Sequence, residues 1–222
     1  MLRILIADDH EVARQGIRAL LEAHPGWEVC AEARDGREAV ELASTMNPGM
    51  ILLDIGMPNL NGLEAARQIL ASSPEIPIMI LTMHDSDQVV REVLRAGARG
   101  FLLKSDAGRD LVAAVEALQL RRTFFTTKVS QMVLEGYLDR DNPNSKDDGK
   151  KPDETGVVLT GREREVIQLL AEGKTSKEVA LALHLSVKTA ETHRTNLMRK
   201  LDLHSVADLT RYAVRNGIVQ VF

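Results

Sequence analysis

Over its first 121 residues the chain passes five times from a short apolar run to a segment with helical spacing. The runs Arg3–Ala7, Glu28–Ala33, Met50–Asp54, Ile78–Thr82 and Gly100–Lys104 are rich in β-branched residues, Leu or Met. Turn residues bound them, and they are expected as strands. The helical segments are marked by Val12, Ile17, Leu20 and Leu21; by Leu63, Ala66, Ile69 and Leu70; by Val89, Val90, Val93 and Leu94; and by Leu111, Val112, Val115 and Leu118. The second helix has instead a capping pair, Asp35 with Glu38, at its start. Strand and helix in strict alternation restrict the fold severely. Parallel strands need crossover connections, and right-handed crossovers cover both faces of the sheet and collect every strand-to-helix loop at one edge. The expected fold is α/β, a doubly wound five-stranded parallel sheet spanning residues 1–121.

The rest of the chain is different. Residues 122–156 read as a linker with one amphipathic helix, at about 126–138. Residues 139–156 follow it, so poor in apolar side chains and so rich in Pro, Gly, Asn and charge that they cannot bury a core. Residues 157–222 contain four helical segments and no strand. Thr160 with Glu163, and Thr175 with Glu178, form capping boxes. Gly173 ends the first of these helices, Ser186 caps the third, which runs to about Leu201, and Ser205 caps the fourth, which Gly217 closes. Two helices about a tight turn, flanked by bases, fit a small all-α helix-turn-helix domain.

Charge separates the two ends. The whole chain carries −4, but residues 157–222 alone hold an excess of three cations. No apolar run approaches the roughly 20 residues of a membrane span, and the N-terminus lacks the longer apolar core of a secretory signal. A cytoplasmic protein without a membrane partner is expected. The single Cys30 excludes an internal disulfide and reads as a small core residue.

The polar residues at the strand ends carry the chemistry. Strand one ends in Asp8 and Asp9, strand three in Asp54, strand four in Thr82 and strand five in Lys104. In an open α/β sheet the carboxyl ends of the strands line the ligand crevice. Three carboxylates, a hydroxyl and an ammonium thus converge from distant parts of the chain. Carboxylates so close repel one another unless a cation joins them. Oxygen donors select Mg²⁺, or Mn²⁺, over zinc, and the six histidines show no metal-ligand spacing. Mg²⁺ commonly binds with phosphate oxygens, and a carboxylate can act as a phosphoryl nucleophile. A phosphohydrolase is the enzymatic alternative, but the chain has no substrate-binding cap domain.

Asp8-Asp9, Asp54-Ile-Gly-Met-Pro58, Thr82 and Gly100-Phe-Leu-Leu-Lys104 resemble the receiver domain of two-component response regulators. The resemblance implies the flavodoxin-like strand order 2-1-3-4-5 and Asp54 as the phosphoryl acceptor. It implies Mg²⁺ held by Asp8, Asp9, Asp54 and the Gly56 carbonyl. Thr82 and Lys104 would contact the phosphoryl group, and Thr82 and Phe101 would form a switch pair. The donor would be a histidine kinase. The only catalysis implied is the domain's own phosphorylation and dephosphorylation, so no enzyme in the usual sense is expected.

In the helical domain Ala190, Leu197, Met198 and Leu201 mark the core side of the third helix, and a polar face lies opposite. The motifs Leu159–Val166, Ala171–Ala180 and Leu185–His193 resemble the LuxR-type helix-turn-helix, and with the receiver they indicate the NarL/FixJ class. By that resemblance Glu191, Thr192 and Thr195 face base edges of double-stranded DNA. Lys177, Lys188, Thr189, His193 and Arg194 lie nearer the backbone, and Arg199 can reach a phosphate. Phosphorylation is expected to favour a homodimer on paired half-sites. Gly173-Lys-Thr175 looks like the end of a phosphate-binding loop, but Gln168 stands where its upstream glycine is required and no strand precedes it.

Overall fold

The computed structural model describes residues 1–83, 86–127, 129–131 and 159–219. Five strands, β1 (Leu2–Ala7), β2 (Trp27–Ala33), β3 (Met50–Asp54), β4 (Ile78–Thr82) and β5 (Gly100–Leu103), form one parallel sheet in the order β2-β1-β3-β4-β5. Helices α1 (Glu11–Glu22), α2 (Gly36–Met46), α3 (Gly62–Ser72), α4 (Asp87–Ala96) and α5 (Ala107–Gln119) make the crossovers and cover the sheet. Every residue of β3 and β4 is buried, as strands sandwiched between helical layers require.

The pleat sends alternate side chains to opposite cores. Leu5, Ile51, Leu53 and Ile80 pack with α2, α3 and α4, while Ile4, Ile6, Leu52 and Leu81 pack with α1 and α5. The strand order reverses between β1 and β3, so the loops after these two strands diverge and leave a crevice. That opening holds Asp8 and Asp54.

Four expectations need correction. Val12 and Leu20 do not face the core of α1, being exposed, whereas Arg14 is buried. A polar partner explains the exchange: Arg14 donates to the Asp8 carbonyl at 2.7 Å and to Glu32 at 2.9 Å, which satisfies its buried guanidinium. Lys104 does not belong to β5; it opens a single 3₁₀ turn, Lys104–Asp106, which swings its side chain over the sheet edge. Asp35 caps α2 as expected, but Glu38 reaches back to the Arg34 amide, so the box is not closed on Asp35 itself. Cys30 is only half-buried, because β2 is an edge strand. Most of the helix expected over about 126–138, and the segment 139–156, lie outside the described residues.

The C-terminal unit is helical: α6 (Gly161–Ala171), α7 (Ser176–Ala182), α8 (Val187–Lys200) and α9 (Val206–Arg215). Both capping boxes are closed reciprocally, and Ser186 and Ser205 cap α8 and α9. Val166, Leu169, Val179, Ala190, Leu197 and Leu209 share one core.

Candidate functional site

The site begins with backbone geometry. Gly62, the first residue of α3, lies against the chain at the end of β3, and its N–H donates to the Ile55 carbonyl at 3.1 Å. The loop between β3 and α3 is thereby folded back on itself, and Asp54 is aimed into the crevice beside β1. Asp8 and Asp54 are buried and Asp9 is half-buried.

Lys104 joins them. Its Nζ lies 2.8 Å from Asp8 Oδ2 and 2.8 Å from Asp54 Oδ2. Burial works against the charged ammonium, but the carboxylates, Asp54 foremost, hold its pKa above the usual lysine value. Burial pushes the Asp54 carboxyl above the ordinary carboxylate range, although Lys104 and the Gly56 amide favour its charged form. One ammonium therefore does not neutralise the site.

A cation fits there. Carboxylate oxygens of Asp8, Asp9 and Asp54, with one His10 ring nitrogen, all lie within 4.8 Å of one another. Among the described residues, Asp8 Oδ2 and Asp9 Oδ1, both shielded from solvent, receive no hydrogen bond of ordinary geometry; Lys104 Nζ lies 2.8 Å from the first and His10 Nδ1 2.8 Å from the second. His10 was not among the residues singled out from the sequence. Its backbone N–H donates to Asp8 at 2.9 Å and its Nδ1 sits 2.8 Å from Asp9. No spacing rule reveals it, since its role comes from following two aspartates round a turn.

Thr82 and Phe101 are fully buried on β4 and β5. Asp54 pairs in register with Leu81, so Thr82 ends the strand next to β3, at the same edge as Asp54 and Lys104.

On the helical unit, Lys177, Lys188, Thr189, Glu191, Thr192, Thr195 and Arg199 are exposed, while His193 and Arg194 are half-buried. Thr192 bonds back to the Lys188 carbonyl at 2.8 Å, which keeps its hydroxyl close to the helix. The polar face of α8 thus stays open to solvent with the sheet domain in contact.

That contact is made by α6 and the turn after α9. Six consecutive residues of α6, Glu165 to Leu170, are buried, because this helix has its own core on one side and the sheet domain on the other. Gln168 accepts from the Asn61 N–H at 2.8 Å and donates to the Met57 carbonyl at 3.0 Å and to Glu172 at 2.8 Å. Asn61 Nδ2 donates to the Ile218 carbonyl at 3.0 Å. Glu165 receives Arg37 at 3.2 Å and Gln68 at 3.1 Å. Sequence reading missed these residues; the available signal was a Gln between Ile167 and Leu169 in the apolar stretch of α6.

Residues 4–116 match the response regulator receiver domain, and residues 157–213 match the bacterial regulatory proteins of the luxR family. The chain is similar to the transcriptional regulatory protein LiaR of Bacillus subtilis (strain 168), 38% identical over 219 residues that cover 99% of this chain and 100% of LiaR. It is 34% identical to the transcriptional regulatory protein DegU of Brevibacillus brevis over 226 residues, 99% of this chain and 96% of DegU. RcsB from Salmonella enterica serovar Typhimurium, bound to the promoter rprA in the presence of the phosphomimetic BeF3−, is 27% identical. The match covers 95% of this chain and 97% of RcsB, with a TM-score of 0.60.

Proposed function

Since this chain belongs to the NarL/FixJ-class response regulators, which join a receiver to a LuxR-type DNA-binding domain, we propose that Asp54 accepts a phosphoryl group and thereby controls transcription. The observation that carries this is the half-buried Lys104 ammonium shared between Asp8 and Asp54, one cation within a cluster of three carboxylates. Asp8, Asp9, Asp54 and the Gly56 carbonyl would hold Mg²⁺, or Mn²⁺, which when bound supplies neutralising charge between carboxylate and phosphoryl oxygens.

The residues divide the work. A partner histidine kinase presents a phosphohistidine. An Asp54 carboxylate oxygen attacks phosphorus, the P–N bond breaks, and the imidazole leaves with its bonding pair. Lys104 contacts the transferred oxygens and Thr82 donates its hydroxyl to one of them. Thr82 and Phe101 then move together as a switch. The added charge of about −1.5 to −2 biases the equilibrium between arrangements of the two domains. Phosphorylated chains pair as homodimers and set two α8 helices on two half-sites. The DNA-facing set is Glu191, Thr192 and Thr195 at base edges, with Lys177, Lys188, Thr189, His193, Arg194 and Arg199 toward the backbone. Kinase and DNA meet the protein in the cytoplasm.

The test is phosphorylation by a small-molecule phosphodonor with Mg²⁺. The wild type should gain one acid-stable, base-labile phosphate and Asp54→Asn none. Labelling of Asp54→Asn at the wild-type level would remove Asp54 from the role. The exposed polar face of α8 also favours some DNA binding before phosphorylation.

A further inference from the structure

The helical domain does not merely lie beside the acceptor loop; it completes the loop's hydrogen bonding. Within the loop, Met57 N–H and Gly62 N–H both donate to the Ile55 carbonyl, at 3.0 and 3.1 Å, which ties the two ends together. The intervening Met57 carbonyl and Asn61 N–H are both bonded by one side chain from the other domain, Gln168, which is 1% exposed.

The Gln168 carboxamide has one workable orientation. Its nitrogen faces two acceptors, the Met57 carbonyl and the Glu172 carboxylate, and its oxygen faces a donor, the Asn61 N–H. A flip would set like against like at all three contacts. The amide is therefore a rigid bridge. The Gly56 carbonyl shares a planar peptide with the Met57 N–H, so fixing Met57 on both of its backbone polar groups also fixes the direction of that carbonyl. A cavity of about 110 Å³ separates Asp9 and Gly56 from Gln168 and Ile218, so the bridge stands at the rim of the carboxylate cluster.

We infer that Gln168 is a positioning residue for the cation site, acting from the DNA-binding domain through the Met57 and Asn61 backbone groups on the Gly56 carbonyl. The inference rests on the proposed reading of Gly56 as a cation ligand. A loop ordered beforehand loses less freedom when a cation binds, so the docked domain tightens binding. Coupling is reciprocal, and cation binding must strengthen docking by the same factor.

The probe is Mn²⁺, with its free concentration followed by electron paramagnetic resonance in titrations of the full chain. Gln168→Met keeps length, volume and helix propensity while removing all three bonds, and Gln168→Ala is a second variant should the first fold poorly. Both should bind Mn²⁺ about three- to tenfold more weakly than the wild type. Gln68→Ala, which loses an interdomain bond to Glu165 that does not touch the loop, should bind within twofold of the wild type. Unchanged or tighter binding by the Gln168 variants would overturn the inference and leave the proposed function standing. Equal weakening by Gln68→Ala would overturn it too, by assigning the effect to docking in general. No Mn²⁺ uptake by the wild type would remove both readings.

Discussion

Gly62 sits so close to Asp54 that a methyl group on its α-carbon would come within 1.9 Å of the Asp54 carbonyl oxygen. The contact is backbone against backbone, with no flexible side chain to give way. It binds the start of α3 to the end of β3, and so determines where the Asp54 carboxylate can point. Gly62→Ala should destabilise the protein by about 1–3 kcal/mol, the usual cost of forcing an extra carbon into a packed site. It should also slow phosphorylation. Urea denaturation and the labelling rate check the two effects; a variant with wild-type values in both would contradict the argument.

Asp54 should oppose folding at neutral pH when no divalent cation is present. Its carboxyl is held above the ordinary range by burial, against the pull of Lys104, so the folded protein binds that proton more tightly than the unfolded chain does. Below the unfolded pKa of about 3.9 both states are protonated and the effect vanishes. As pH rises through the folded pKa, the unfolded state gains relative stability. Asp54→Asn should therefore have a higher urea midpoint than the wild type at pH 7 in chelator, with the difference shrinking toward pH 4. A lower midpoint for the variant at pH 7 would contradict this.

Glu163 works in the opposite sense. Burial alone would raise its pKa, but Lys200, with Nζ 2.7 Å from one carboxylate oxygen, and the Thr160 cap hold it below the ordinary value. A depressed carboxylate contributes stability above its unfolded pKa, about 4.3, which is lost as pH falls toward the folded value. Glu163→Gln should lower the thermal midpoint of the helical domain at pH 7 and leave it nearly unchanged at pH 3. Equal losses at both pH values would point to packing as the cause.

Lys188 and Thr192 should respond differently to salt. Both are exposed on α8, one turn apart. A phosphate contact strengthens binding to all sequences alike and contributes to the salt dependence, while a base contact sets preference. Lys188→Ala should lower affinity for every DNA tested and reduce the slope of log K against log salt by about 1. Thr192→Ala should leave the slope intact and alter which sequence is preferred. Binding curves at several salt concentrations, on specific and scrambled DNA, separate the outcomes.

Much of this site was legible because β3 and β5 carry their chemistry at their ends. An apolar run ending in Asp54, and another ending beside Lys104, state both a strand and a polar group at its carboxyl end. Parallel topology then leaves one edge where such ends can meet. The N-caps Thr160, Thr175, Ser186 and Ser205 were equally plain, since a cap is a local hydrogen bond between residues three apart. Arg14 was not legible: its burial in α1 depends on Glu32 and the Asp8 carbonyl, which no helical periodicity can anticipate.

The amino-acid sequence by itself determined the alternation of strand and helix, the starts of the helices capped by Asp35, Thr160, Thr175, Ser186 and Ser205, and the types of residue at the strand tips, because each depends on contacts within a few residues. Only the tertiary structure decided that Lys104 bridges Asp8 to Asp54 and that Gln168 reaches Met57 and Asn61 from more than a hundred residues away. The reason is physical. Local order follows from backbone sterics and nearest neighbours, whereas the charge balance of a buried site depends on groups that meet only when distant segments pack.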